Sequence, residues 1–294
     1  MKKITLFLML LCISVCAHAQ LLWKVSGKDL AQPSYVFGSH HLSPLSIVDS
    51  IAGFKPAMDE VQQVYGEIVM EDMMKPEILM KIQQKTVLPG DTTLTMLYSK
   101  EKYDTLSQAV KSLMGVDLKM FDKIAPVALN VQMAVFIGLK SVEGFNPQQQ
   151  LDMWMQSEAK KNGKPIGGLE TVESQIEVLY GSKSFAEQAD ELYCTVTNLD
   201  FVSEQTKVMT EAYIGQDLKA MQAAMERKLN NECDTDPEVE DKMIYDRNTA
   251  WVNIMPKIME AKPTMFVVGA GHLPGERGVL QLLQNCGYTV EPVK

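Results

Sequence analysis

The sequence predicts an α/β fold: a central mixed β-sheet built from both chain ends, flanked by helices, with a largely helical middle segment. Three observations predict it. Short β-rich runs bounded by turn residues gather near both ends of the chain, apolar residues recur at helical spacing through the middle, and the stretch 264–293 reads as strand, glycine turn, helix, strand. Strands at both ends with helices between them place the two termini in one sheet.

In chain order, "MKKITLFLMLLCISVCAHAQ" opens with Lys2 and Lys3, an apolar run from Ile4 to about Cys16, and small residues at Ala17 and Ala19. This is the pattern of a secretory signal peptide over residues 1–19, with cleavage leaving Gln20 first. A lipoprotein reading through Cys16 fits less well, because Val15 stands where a small residue is wanted and Ile13 where leucine is usual. The run is too short to span a bilayer, and no later stretch reaches the ~20 apolar residues that a membrane helix needs. The expectation is an exported protein, periplasmic or secreted, with no membrane span. Residues 20–294 are expected to form a single domain, since no Gly/Ser/Pro-rich linker divides them.

Losing Lys2 and Lys3 takes the formal net charge from −9 to −11, and no block of lysine and arginine occurs anywhere. That balance argues against nucleic acid and anionic membrane surfaces as partners. Three cysteines remain after the leader, Cys194, Cys233 and Cys286, without the tight spacing of a zinc knuckle. In an oxidising compartment Cys194 and Cys233 could pair; three reduced thiols are the alternative.

"LLWKVS" and "SYVFGSH" are β-rich and separated by the turn-rich "GKDLAQP", which predicts a hairpin. "QVYGEIVM" is another strand candidate, interrupted by one carboxylate. Tyr103, Leu106, Val110 and Leu113 recur at helical spacing, and "DKIAPVALNVQMAVFIGL" continues as a second apolar helical segment. "KPIGGLE" reads as a strand and turn before another helix. From Asp236 to about Ala261 a long helix opens with Pro237 at an N1-like position, and Pro256 should kink or divide it. No repeat of 20–50 residues is visible.

Two segments share a pattern: "PSYVFGSHHL" and "PTMFVVGAGHL" both run proline, hydroxyl residue, apolar strand, glycine, two residues, histidine, leucine. The copies are Gly38-x-x-His41-Leu42 and Gly269-x-x-His272-Leu273. With His18 in the leader, the remaining histidines, His40, His41 and His272, all lie in these copies. A strand ending in glycine turns sharply and projects the following side chain over the carboxyl edge of a sheet, where open α/β sheets place their sites. A lone histidine there is usually a hydrogen-bonded structural residue; two matched copies that use up the histidines favour a shared site.

Two histidines and a carboxylate with an open position form a hydrolytic metal arrangement. Glu67, which interrupts the apolar "VYGEIVM", is the candidate carboxylate; at that depth it must be paired, protonated or bound to a cation. The plainer reading pairs it with Arg247, which shares a helix face with Trp251, Ile254, Met255 and Ile258. A guanidinium on that face needs a carboxylate or a substrate oxyanion, unless it snorkels to the surface. Glu170, following "PIGGL", would either pair with Arg247 or face water.

At these residues the chain resembles the TraB/PrgY/GumN family, which includes the Tiki-type metalloproteases. The resemblance rests on "LWKVSG", "SYVFGSHHLSP", "VYGE", "KPIGGLETVESQ", "DRNTAWVNIM" and "FVVGAGHLPGERGVLQLLQNCGYTVEPV", in that order. It implies a fold similar to the erythromycin-esterase and ChaN type, and a metal-dependent catalytic centre at His41, His272 and Glu67. One position departs: many members carry an aspartate two residues after the glutamate, where this chain has Val69.

The reading that results is an exported metal-dependent hydrolase, a peptidase acting on a peptide or protein substrate. His41, His272 and Glu67 would hold or surround a divalent metal ion (zinc, manganese or cobalt) whose bound water attacks an amide carbonyl, with Glu67 as ligand or general base. His40 and Arg247 would orient groups or stabilise developing negative charge, and Gly38, Gly269, His40 and Glu170 would line the cofactor site. A non-catalytic metal- or haem-binding protein and a metal-free esterase-like enzyme with His41 as base are the alternatives. Oligomeric state is left open.

Overall fold

The computed structural model describes residues 20–181 and 183–294; the signal-peptide reading of 1–19 and the Cys16 reading lie outside the described residues. Six strands make one mixed sheet: β1 (Leu22–Ser26), β2 (Ser34–Ser39), β3 (Gln63–Gly66), β4 (Ile166–Gly168), β5 (Thr264–Gly269) and β6 (Thr289–Pro292), in the order β4-β3-β5-β2-β1-β6. The first two form the predicted antiparallel hairpin, with Leu22 opposite Phe37. Pairing of β6 with β1 brings the two chain ends into the sheet as anticipated, with Val25 opposite Val290. Strands β4, β3, β5 and β2 run parallel, so their carboxyl ends share one edge.

The helices are α1 (Phe54–Glu60), α2 (Pro76–Thr86), α3 (Leu94–Leu97), α4 (Lys100–Met114), α5 (Pro126–Ser141), α6 (Leu151–Lys161), α7 (Val172–Ile176), α8 (Phe185–Thr197), α9 (Leu199–Ile214), α10 (Leu218–Met225), α11 (Pro237–Glu240), α12 (Asp246–Ala261) and α13 (Val279–Asn285). Beneath and above the sheet, Val36, Phe37, Val64 and Met265 to Val268 pack with Trp251 and Met255 of α12 in one core. A second core joins α4, α5 and α8 through Leu106, Val110, Leu129, Met133 and Leu192. The periodic apolar residues of the middle segment thus pack on one another rather than on the sheet. Among the described residues no helix is long and apolar enough to cross a membrane.

Three elements differ in detail from the sequence reading. Strand β3 stops at Gly66 instead of running through "EIVM". Gln156 of α6 takes over the backbone there: its Nε2 donates to the Ile68 carbonyl at 2.8 Å and its Oε1 accepts from Met70 N–H at 3.0 Å. Those groups therefore leave the sheet, and Glu67 stands just past the strand end. The long helix opens with an Asp236 cap on Glu238 N–H and passes through a π-helical turn at Asp241–Tyr245. Pro256 lies within α12 and does not divide it.

The buried stripe of α12 centres on Asn248, Trp251 and Met255, so Arg247 sits at its margin and Ile254 falls outside, 41% exposed. Cys194 of α8 and Cys233 form a disulfide, one of the two cysteine arrangements anticipated, and Cys286 is free.

Candidate active site

The two G-x-x-H turns end adjacent parallel strands, with Ser39 of β2 opposite Gly269 of β5. Their glycines are there for close approach. A Cβ on Gly38 would lie 2.7 Å from a Leu273 methyl, and one on Gly269 3.3 Å from Glu67 Oε1. Gly38 therefore serves packing between the two turns, whereas Gly269 lets the Glu67 carboxylate reach the backbone and accept the Gly269 N–H at 2.8 Å.

Arg247 is the hub of one side of this edge. Its Nη2 donates to Glu67 Oε2 and to Glu170 Oε1, both at 2.6 Å; Nε donates to Glu170 Oε1 at 3.1 Å; Nη1 reaches the Met243 carbonyl at 2.9 Å and His272 Nε2 at 3.2 Å. All five N–H groups of the fork are used. None remains for a substrate oxyanion, which leaves orientation as the part Arg247 can take of the two roles expected for it. Glu170 is its partner rather than a solvent-facing group. Gln175 of α7 links the two carboxylates, donating to Glu67 Oε2 at 3.0 Å and Glu170 Oε1 at 3.1 Å. The Trp251 ring lies 4.7 Å from the guanidinium and 4.5 Å from the His272 ring.

These neighbours set the charges. Burial pushes the Glu67 carboxyl up, but positive charge at His272 and Arg247 and the Gly269 N–H hold it below the usual carboxylate range. Burial drives His272 down to about 4, with Glu67 opposing the shift and Arg247 reinforcing it. At neutral pH the imidazole is uncharged, so Arg247 is the cation that keeps Glu67 ionised. Two carboxylates against one guanidinium leave this side with one negative charge in excess.

His41 has a different partner. Its Nδ1 lies 3.6 Å from Oδ2 of Asp152, in the first turn of α6, and its side chain is 67% exposed. Ser39 Oγ donates to Asp152 Oδ1 at 2.8 Å, while Oδ2 is buried and has no hydrogen-bond partner among the described residues. Burial raises the Asp152 pKa; His41 counters it and the negative charge of Glu67 adds to it, so the two sides of the edge feel each other. His40 turns away toward α9, where Nε2 meets Thr210 Oγ1 at 3.0 Å and the ring lies tilted against Tyr213, centroids 5.2 Å apart. Burial, with a contribution from His41, lowers its pKa to about 4.

The strand ends thus bring Glu67, Glu170, Arg247 and His272 together and set His41 apart with Asp152. Among the described residues no three His, Cys, Asp or Glu side chains form a ready metal-ligand cluster. The Nε2 of His272 is taken by Arg247, so it does not offer a free lone pair. Asp152 Oδ2 and the exposed His41 imidazole do, next to an edge carrying excess negative charge, and that donor set suits a divalent cation.

Sequence reasoning missed Asp152, Gln156, Gln175 and Asn248. Asp152 reads as an ordinary acidic residue in a helix first turn. Its signal was the spacing of Asp152 and Gln156, one helical turn apart and flanked by the apolar Leu151 and Met155, both buried.

A family described as the TraB/PrgY/gumN family matches residues 21–292. The chain is 22% identical to "Metalloprotease TIKI2" of Danio rerio, over 92% of this chain and 60% of that protein. It is likewise 22% identical to "Metalloprotease TIKI homolog" of Nematostella vectensis, over 93% of this chain and 67% of that one. The chain thus spans about 60% of the length of the first of these relatives. No solved structure matches it.

Proposed function

The chain belongs to the TraB/PrgY/gumN family, and from that premise we propose that it is an exported metal-dependent hydrolase that cleaves amide bonds in peptide or protein substrates. The observation that carries the reading is the buried Asp152 Oδ2, left without a partner among the described residues, beside the exposed His41 at the carboxyl edge of four parallel strands. A buried carboxylate oxygen with no donor costs stability unless something binds it. Zinc, manganese and cobalt all accept imidazole and carboxylate ligands. Such an ion, when bound, lowers the pKa of a water and polarises a carbonyl.

His41 and Asp152 supply the donors with free lone pairs. Glu67, kept ionised and aimed by Arg247, Gln175 and Gly269, adds negative potential and is a candidate base at the same strand edge. Glu170 neutralises Arg247 from behind and fixes its plane. His272 would become a ligand only by giving up its hydrogen bond to Arg247; as arranged, it supports the Glu67 side. An amide is preferred as the scissile bond because both relatives named above are metalloproteases. Export is supported by the Cys194–Cys233 disulfide, since such bonds persist in oxidising compartments.

The test is metal content and peptide-library turnover of protein purified without a histidine tag, with and without chelator, alongside His41→Ala, Asp152→Asn and His272→Ala. Chelator-sensitive cleavage, lost in His41→Ala and Asp152→Asn, is expected. Tight metal binding with no turnover would favour the non-catalytic binding protein, and turnover indifferent to chelator would favour the esterase-like reading.

A further inference from the structure

We propose that Asn248 is a positioning residue that, together with Arg247, fixes which nitrogen of His272 is unprotonated. Asn248 is fully buried on α12, next to Arg247, and uses both ends of its amide. Its Nδ2 donates to the Arg277 carbonyl at 2.9 Å and to the His272 carbonyl at 3.3 Å. Carbonyls only accept, so the amide has one orientation, and Oδ1 faces His272 Nδ1 at 2.6 Å. An amide oxygen only accepts as well, which puts the imidazole proton on Nδ1. On the far side of the ring Nε2 faces Arg247 Nη1 at 3.2 Å, and a guanidinium only donates. The two contacts require the same tautomer, Nδ1–H with a bare Nε2, 3.8 Å from Glu67 Oε1.

Arg247 alone constrains one end of the ring. Asn248 adds the second, and by holding the His272 carbonyl and the Arg277 carbonyl it also ties the G-x-x-H turn to the helix that carries Arg247. Removing it takes away the amide acceptor of the Nδ1–H and one of the ring's two side-chain anchors, leaving the Ile244 carbonyl beside the ring to compete for its proton. The effect on turnover rests on the function proposed above; the tautomer itself does not.

The experiment is nitrogen-15 NMR of the metal-free protein labelled at histidine, with His272 assigned by its loss in His272→Ala. The parent should show one tautomer, protonated at Nδ1, with a slowly exchanging ring proton. Asn248→Ala should give mixed tautomers or a ring proton lost to exchange, and turnover lower by about 10- to 100-fold with KM unchanged, the range for partners that hold an active-site imidazole. Asn248→Asp keeps the Oδ1 acceptor and should keep the Nδ1 proton, at the cost of the two donations to the Arg277 and His272 carbonyls. A parent protonated at Nε2 would overturn the proposal without recourse to any variant, as would an Asn248→Ala protein with the parental ring spectrum. A parental tautomer as drawn in a protein that cleaves no peptide would uphold the role of Asn248 while removing the reading of the edge as a peptidase site.

Discussion

On one side of the strand edge Arg247 donates all five of its N–H groups, and each is met by Glu67, Glu170, His272 or a backbone carbonyl. On the other, Asp152 keeps an oxygen with no partner and His41 keeps its imidazole largely in solvent. Both sides are built from acidic residues and histidines at the ends of the same parallel strands, yet one is saturated and the other is not. The difference separates two tasks. A saturated network fixes geometry and depends on every member, because losing one strands the rest in a medium that solvates charge poorly. An unsaturated pair contributes little to stability and retains the capacity to bind.

Among single substitutions the largest expected effect lies on the saturated side. Arg247→Ala leaves two buried carboxylates facing each other and should cost roughly 3–5 kcal/mol, as for breaking a buried ion pair. Chemical denaturation reads this directly, and a loss indistinguishable from zero would erase the contrast. Acid should act next. His40 and His272 have folded pKa values of about 4, against about 6.5 for an unperturbed histidine. Between these values the unfolded chain binds more protons, so stability is complete above pH ~6.5 and is lost as pH falls toward 4, by roughly 3 kcal/mol for each histidine. Melting temperatures from pH 7 to 4 in the presence of chelator test the sign; a flat profile would mean that both rings are solvated.

The unsaturated side should respond in the opposite sense. Asp152→Asn removes a buried charge, keeps the acceptor for Ser39 and gives His41 a donor, so it should be neutral or stabilising by about 1 kcal/mol while abolishing metal binding. A strongly destabilised Asp152→Asn would show that the carboxylate is structural after all. The smallest effect on stability belongs to His41→Ala, within about 0.5 kcal/mol, as for an exposed side chain. Calorimetric titration with manganese and zinc should nonetheless show its binding lost, and parental affinity in this variant would take His41 out of the ligand set.

Much of the frame was legible in the sequence because strands and their glycine ends carry local signals: the hairpin, the strand before each G-x-x-H, and the meeting of chain ends in one sheet follow from alternation and turn residues. The pairing of Glu67 with Arg247 was legible too, since a carboxylate in an apolar run and a guanidinium on an apolar helix face each require a partner. What could not be read is which helix surface covers the strand ends. Asp152 and Gln156 come from α6, and Asn248 and Gln175 from helices whose polar residues look no different from solvent-facing ones. The different partners of His41 and His272 were equally hidden, because they depend on side-chain direction beyond the turn, which two matching motifs do not specify.

The position of β5 has a consequence for how the protein is made. It lies between β2 and β3 in the sheet, yet it is synthesised about 200 residues after either of them. Without it, β2 and β3 would each present an unpaired edge of the kind that invites pairing with other chains. Placing it there requires contacts of very long sequence separation, which fold slowly. Insertion of β5 therefore closes the sheet and sets the two G-x-x-H turns side by side in one event, and a chain clipped before Thr264 would lack both.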